Sequence, residues 1–356
     1  MVLAITSISV LMWSPFAHAD TLAPGQVVRI GPTAGTGTPT ADYGIGATDL
    51  CEFMEFQTEL LQVCGDSFAG QGAGFGNWFS PIALHVDRSS LDSPGGVVYT
   101  GVTGVDKPLL ADARVPGTSE LPAGVVEINR QNYMLVTTTE SLVPVSSRLV
   151  KAEAAQGLWE TVPGSRRDAG YQGGGQSQIS GYYDPIPTPD SSTGWVYIVA
   201  NSFDRSQPVR LFRVPPRQFP DRGKWQAWSA EAGWNRRPTP LWGDRVGEMN
   251  IRQIDGKTVL SYFNASTGNM EMRVAADPTG LGTAPVTTVV RAEDWPDPAD
   301  ALPDPADNSL AQPYGGYVAP GSTLDEVRVF VSQWNTLSRD RSPYRVIQFA
   351  VNPFKP

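Results

Sequence analysis

Two kinds of short apolar run alternate along this chain, each occurring five times, and that recurrence limits the folds open to it. Runs of the first kind end in a short polar tail and cover 61–68, 133–139, 195–203, 259–264 and 327–335. A run of the second kind follows each, apolar at every other residue, over 81–86, 148–152, 209–214, 270–275 and 344–350. Alternation with period two marks a strand with one face buried. A strand ahead of each first-kind run is also predicted; 248–254 leads into Asp255-Gly256, a two-residue hairpin turn. Leu158-Trp159-Glu160 and Lys224-Trp225-Gln226-Ala227-Trp228 supply candidate outer strands. Glycine (36) and proline (31) are abundant and helix-length amphipathic segments almost absent, so the chain reads as all-β. Five recurrences of about four antiparallel strands describe a five-bladed β-propeller, a single domain over 41–356. One blade cannot bury both faces of its sheet, so all five must stack about one axis. The competing fold, a two-sheet sandwich or jelly roll, accounts for the strands but not for the fivefold spacing.

Residues 1–19 read as a signal peptide: an apolar run over 2–12, then Ala17-His18-Ala19 as the small-x-small cleavage pattern. Residues 20–40 are then an N-terminal extension ahead of the domain. No later stretch reaches the ~20 apolar residues a membrane span requires. Net charge is −9 with no cluster of Lys or Arg, a surface that repels phosphate backbones and argues against a nucleic-acid partner. Export to an oxidising compartment suits the two cysteines, Cys51 and Cys64, which allow one pairing. Once His18 leaves with the signal, His85 is the sole histidine, too few for a His-rich zinc site. It lies in the alternating strand Ile82-Ala83-Leu84-His85-Val86, with no G-x-S-x-G elbow to make it part of a serine triad. With both thiols committed to a bridge, carboxylates remain as the chemistry-bearing groups, and they need no cofactor.

Their placement is specific. Asp49 and Asp66 lie two residues outside Cys51 and Cys64, so both pairs share one midpoint. If the cysteines bridge antiparallel strands, 47–54 against 61–68, the aspartates sit opposite one another on the disulfide's face. Cβ atoms so opposed are roughly 4.5–5.5 Å apart. Retaining glycoside hydrolases need two carboxyl groups at about that spacing. Mutual repulsion then holds one protonated and leaves the other ionised. Glu52 points to the opposite face and drops out as a partner. Glu248 begins the corresponding hairpin of the fourth repeat and is the candidate third carboxylate. Trp78, Asn264, Tyr317, Gln333 and Trp334, at strand ends or adjoining loops, are candidate sugar-binding residues. Gly173-Gly174-Gly175-Gln176-Ser177 with Tyr182-Tyr183-Asp184-Pro185 reads as a long loop over one face. The run 295–300, partly echoed at 303–307, reads as a solvated acidic loop whose spacing matches no EF-hand calcium site.

Ala47-Thr48-Asp49-Leu50, Cys64-Gly65-Asp66-Ser67-Phe68 and Asn77-Trp78-Phe79-Ser80-Pro81 together resemble the N-terminal motifs of a bacterial secreted family. That family was long filed as a domain of unknown function and includes endo-D-arabinanases. Gly247-Glu248, Ser261-Tyr262-Phe263-Asn264, Gly316-Tyr317-Val318-Ala319-Pro320-Gly321 and Val331-Ser332-Gln333-Trp334-Asn335 extend the resemblance over roughly residues 40–350. It implies a five-bladed propeller and anomer-retaining endo-hydrolysis of α-D-arabinofuranosidic bonds in mycobacterial arabinogalactan and lipoarabinomannan. It implies that two N-terminal aspartates do the chemistry, here Asp49 and Asp66, with Asp66 favoured as nucleophile and the reverse assignment open. A second reading from another class is a non-catalytic propeller that binds envelope glycan or a protein. A third is a glycosidase acting on a different furanoside or pentoside.

Overall fold

The computed structural model describes residues 21–235, 237–295 and 308–354. The signal peptide expected at 1–19 and most of the acidic stretch 295–307 lie outside the described residues. Within them the fold is all-β, with five sheets of four or five strands and a small three-stranded ribbon. No described helix is long and apolar enough to cross a membrane.

In each sheet the second and third strands are the two predicted run types. The second strands are Leu60–Cys64, Gln131–Glu140, Trp195–Asn201, Lys257–Asn264 and Val327–Trp334. The third are Ile82–Val86, Val143–Ala152, Arg210–Val214, Met270–Ala275 and Tyr344–Val351. First strands precede them at Glu52–Glu55, Ser119–Ile128, Gln178–Asp184, Val246–Ile254 and Pro313–Val318. The tryptophan-bearing segments end in outer strands as expected, Glu160–Thr161 and Gln226–Ser229.

Alternation along these strands buries both faces of every sheet, and the apolar residues gather in five clusters between sheets. Met54 and Leu61 of the first sheet meet Met134 and Val136 of the second. Leu135 meets Ile198 between the second and third, Val199 meets Met249 between the third and fourth, and Val259 meets Ile347 between the fourth and fifth. The fifth cluster returns to the start: Phe330 and Val346 of the last sheet pack on Phe53 and Leu84 of the first. There the Phe53 and Phe330 rings meet edge to face at 4.9 Å. Each sheet thus packs between its two neighbours in chain order, and the last packs against the first.

Three expectations need correction. Residues 27–35 are not an extension: Val27–Gly35 is the outer strand of the fifth sheet, antiparallel to Tyr344–Val351. Its Gly31-Pro32 interior disguises it, and the two register shifts around that pair accommodate the missing amide proton. Tyr182, Tyr183 and Asp184 belong to a strand, Gln178–Asp184, and not to a loop; the irregular stretch is 171–177. The hairpin 47–54/61–68 is not continuous. Ala47–Thr48 pairs with Ser67–Phe68 in the ribbon, completed by Trp78–Phe79, while Glu52–Glu55 pairs with Leu60–Cys64 in the first sheet.

The N-terminal strand covers the free edge of Tyr344–Val351 and contributes Ala34 to the cluster joining last sheet to first. Deleting residues 21–35 should therefore lower Tm by ~5 °C or more and promote edge-to-edge aggregation, read by calorimetry and size-exclusion chromatography.

Candidate active site

The break in the first hairpin falls on the predicted aspartates. Leu50 takes a left-handed backbone conformation, φ 50°, and its amide donates to Ser332 Oγ of the fifth sheet at 2.9 Å instead of to the facing strand. The ladder stops at Asp49 and resumes at Glu52, yet the same register holds on both sides: Thr48 opposes Ser67 and Glu52 opposes Val63. The Cys51–Cys64 disulfide crosses this gap with its Cα atoms 3.9 Å apart. Asp49 and Asp66 flank it on irregular backbone, where the carboxyl groups are free of the pleat and turn into one cleft.

That cleft holds about 1030 Å³ and takes side chains from all five sheets. The first gives Asp49 and Asp66, the second Leu121 and Leu142, the third Arg205, the fourth Glu248 and Phe263, the fifth Tyr314, Trp334 and Tyr344. Glu248 reaches it through a β-bulge between Val246 and Met249, whose carbonyls at Val246 and Gly247 are held by Asn201 Nδ2 at 2.5 and 2.8 Å.

The three carboxyl groups have different surroundings. Asp49 is buried, and Tyr314 Oη donates to its Oδ2 at 2.8 Å. Burial, and after it the charge of Asp66, pushes its pKa up to about 8, against the lowering effect of the Tyr344 and Tyr314 phenols. Burial raises both phenols well above their usual range, and the Asp49 charge adds to it, so they remain protonated donors. Asp66 is half-buried and accepts from Trp78 Nε1 at 2.7 Å; burial raises its pKa while that hydrogen bond lowers it. Glu248 is buried against a cation: Arg205 Nε and Nη2 donate to its Oε1 at 3.0 and 2.7 Å. The same guanidinium lies over the Phe263 and Tyr314 rings. Gly65, ahead of Asp66 in the chain, has no room for a side chain, since a Cβ there would stand 3.0 Å from Asp49 Oδ1. Chemically, the cleft offers one carboxyl group kept protonated at neutral pH, one beside it that is more open, and an ion-paired third.

The family model described as Domain of unknown function (DUF4185) matches residues 34–350. The chain belongs to this family. A curated relative, "Uncharacterized 35.9 kDa protein in asd 3'region" of Mycolicibacterium smegmatis, is 71% identical over 331 residues, 93% of this chain and 99% of its own. Among solved structures, exo-beta-1,3-galactanase from Phanerochaete chrysosporium superposes with a TM-score of 0.53 at 10% identity, over 90% of this chain and 63% of that one. The catalytic domain of the Coprinopsis cinerea GH62 alpha-L-arabinofuranosidase gives 0.52 at 10% identity, over 92% and 98%. The alpha-L-arabinofuranosidase of Podospora anserina gives 0.51 at 11%, over 94% and 99%. The DUF4185 chain thus shares its all-β fold with β-propeller glycoside hydrolases.

Within this DUF4185 fold the other sequence candidates divide. Trp334 lines the cleft, its ring edge-on to Tyr344, and Trp78 holds Asp66 from behind, with the Arg114 guanidinium 4.2 Å over its ring. Three do not line the cleft. Asn264 is buried on Asp244 and Glu271, Gln333 is buried and donates to the Ala311 carbonyl, and Tyr317 lies buried below the floor. Glu52 is on the opposite side as expected, lining a separate cavity of about 540 Å³, where it accepts from Asn250. His85 is a partly buried strand residue, its Nε2 bonded to Thr103 Oγ1 at 2.7 Å. Sequence reasoning missed Tyr314, Tyr344 and Arg205. Tyr314 stands three residues before the Tyr317 it chose, on the other side of the Gly315-Gly316 bulge.

Because the folded state holds the Asp49 proton up to about pH 8 and the unfolded chain releases it near 3.8, the carboxyl weakens the fold increasingly as pH rises between those values. Asp49→Asn, neutral throughout, should be more stable than wild type by about 2–4 kcal/mol at pH 7, a gain that vanishes below pH 4. Urea unfolding of both proteins across that range measures it.

Proposed function

We propose that this chain is an exported five-bladed β-propeller glycoside hydrolase that cleaves α-D-arabinofuranosidic bonds within mycobacterial-type arabinan and retains anomeric configuration. The observation that carries this reading is the meeting of Asp49 and Asp66, from the two sides of the disulfide gap, in one cleft where Asp49 is buried and Asp66 is more open. The five inter-sheet cores and the fold shared with arabinofuranosidases and a galactanase support the propeller and a glycosidic substrate. A 71% identical relative in a Mycolicibacterium supports the mycobacterial polymer, and a disulfide suits an exported chain.

In this reading Asp66, the more open carboxylate, attacks the anomeric carbon, while Asp49 gives its proton to the departing sugar oxygen. Forming the glycosyl ester removes the charge of Asp66, the second cause of Asp49's raised pKa. Having given its proton to the leaving oxygen, Asp49 is a carboxylate whose pKa is lowered by the loss of that charge, and it takes the proton of the water that attacks the ester. One charge thus switches the same group from acid to base. Tyr314 and Tyr344 hold Asp49 in place through both steps. Glu248, fixed by Arg205, is placed to accept a sugar hydroxyl. The steps need no cofactor.

Asp49→Asn and Asp66→Asn should each lower kcat/KM on arabinogalactan by roughly 10³-fold or more with the fold retained. Azide should convert Asp66→Ala turnover into a glycosyl azide of inverted configuration and Asp49→Ala turnover into the retained one. Both aspartate variants cutting arabinogalactan at the wild-type rate would rule the assignment out. Binding of arabinan fragments by the wild type in calorimetry, with no oligosaccharide ladder released, would make it a binding module. For the wild type, kcat/KM should fall as pH rises past about 8, when Asp49 loses its proton.

A further inference from the structure

Three two-residue hairpin loops in this fold carry two successive residues with positive φ, the signature of a type I′ turn: Asn129-Arg130, Ser141-Leu142 and Asp255-Gly256. This backbone suits Gly, which has no Cβ to meet the neighbouring carbonyl, and Asn and Asp, whose short polar side chains offset that contact with local hydrogen bonds. Asn129 and Asp255-Gly256 follow that preference. Ser141-Leu142 departs from it at both positions, with φ 49° and 67°.

Arg130, φ 66°, departs at one position of its turn, and the turn that departs at both is the one at the cleft. It joins the second and third strands of the second sheet, and Leu142 lines the cleft beside Phe203 and Asp204 of the third. Asn129 and Arg130, by contrast, line the cavity that holds Glu52. The same sheet also supplies Leu121 to the cleft, and Leu121 pairs with Thr137. At ~3.3 Å per residue the tip therefore rises about 15 Å along the strand beyond Leu121. Leu142 is 55% exposed, and Val143 and Val145 beside it are exposed as well, so no packing within the fold accounts for a leucine there. A left-handed backbone and an uncovered apolar side chain meet at one residue, on the wall of the cleft that holds the aspartates. Strained backbone of this kind concentrates where a ligand is gripped.

We propose that the Ser141-Leu142 tip is a substrate-gripping wall, with Leu142 packing on the apolar face of a furanose ring of the bound polymer, away from the bond being cut. The inference rests on the arabinanase reading and adds to it a determinant of affinity for polymer over short fragments. A neutral, hydroxyl-bearing ring has C–H faces that an aliphatic side chain can cover without desolvating charge.

Two variants of the full chain test it, Ser141→Asn/Leu142→Gly, which restores a favoured turn pair, and Leu142→Asn, which keeps a residue tolerant of the left-handed backbone. The double variant should melt ~2 °C or more above wild type. Both should raise KM for mycobacterial arabinogalactan about tenfold, with the loss on KM and not on kcat. A wild type that cuts arabinogalactan while both variants keep its KM within twofold would overturn the tip's role and leave the glycosidase reading standing. A double variant that melts no higher than wild type would overturn the claim that the turn is held against its preference, whatever the substrate. A wild type that neither cuts nor binds the polymer would remove the reading and this inference together.

Discussion

The cleft depends on one break in one hairpin. Two short ladders, 47–48 with 67–68 and 52–55 with 60–64, keep a common register although the hydrogen bonding between them is interrupted. A register slip of one residue would send every side chain of one ladder to the other face. Across the gap the backbone keeps one hydrogen bond, from the Gly65 amide to the Asp49 carbonyl at 3.0 Å, and the Cys51–Cys64 disulfide adds a covalent tie against that slip. Because Leu50 turns away to Ser332, Asp49 is released from the pleat, and the fifth sheet rather than the first supplies the phenols that receive it. The covalent bond and the lost ladder are therefore two halves of one arrangement: irregular backbone aims the carboxyl groups, and the bridge keeps that irregularity from spreading.

Burying carboxyl groups near the centre of five sheets is expensive unless each finds a way to avoid a free charge. The fold uses two ways. Glu248 keeps a guanidinium within hydrogen-bonding distance, and Arg205 is in turn sandwiched by aromatic faces. Asp49 keeps its proton. These solutions are not interchangeable for chemistry. An ion-paired carboxylate has its charge satisfied and gives up little on meeting a substrate. A carboxylic acid held protonated by burial and by a neighbouring charge becomes a stronger acid as bond formation consumes that charge, which is what the proposed acid/base step requires.

Much of this was legible in the sequence, for reasons that also explain what was not. The second and third strands of every sheet showed themselves because apolar residues fill enough of their buried positions to keep the alternation readable, although Gln62, Asn132, Arg148, Ser261 and Gln348 are buried there too. The first strands were predicted ahead of each first-kind run but with bounds only at 248–254, because buried polar residues break their alternation: Glu52, Gln178, Ser180, Glu248 and Asn250. Asn250 alone bonds Glu52 of the first sheet, Ser180 of the third and the Val318 amide of the fifth. Such groups belong to a network, and a network has no period. The aspartate pair was visible because a disulfide register is arithmetic. Tyr314, Tyr344 and Arg205 were not, since they reach Asp49 and Glu248 through bulges and a left-handed turn residue that shift which side chain faces inward. Asn264, Gln333 and Tyr317 were chosen for their place at strand ends or adjoining loops and lie outside the cleft lining, since a residue there is as easily tied to its own surroundings as turned to a ligand.

Asp49 and Glu52 complete the comparison, because they start from almost the same position. They stand on either side of Leu50 and Cys51, both are buried, and burial pushes each to about 8. Their surroundings then diverge. The charged neighbour of Glu52 is Arg252, which favours ionisation, and Asn250 and the Val125 backbone already satisfy its oxygens. The charged neighbour of Asp49 is another carboxylate, and its cleft is nearly twice the volume of the one below Glu52. A raised pKa alone does not separate them. The sign of the neighbouring charge does: removing an opposite charge from Glu52 would lock its proton in, whereas removing a like charge from Asp49 lets its proton go. Of the two buried acids that flank the disulfide's first cysteine, only Asp49 is coupled to a partner whose own chemistry would free it.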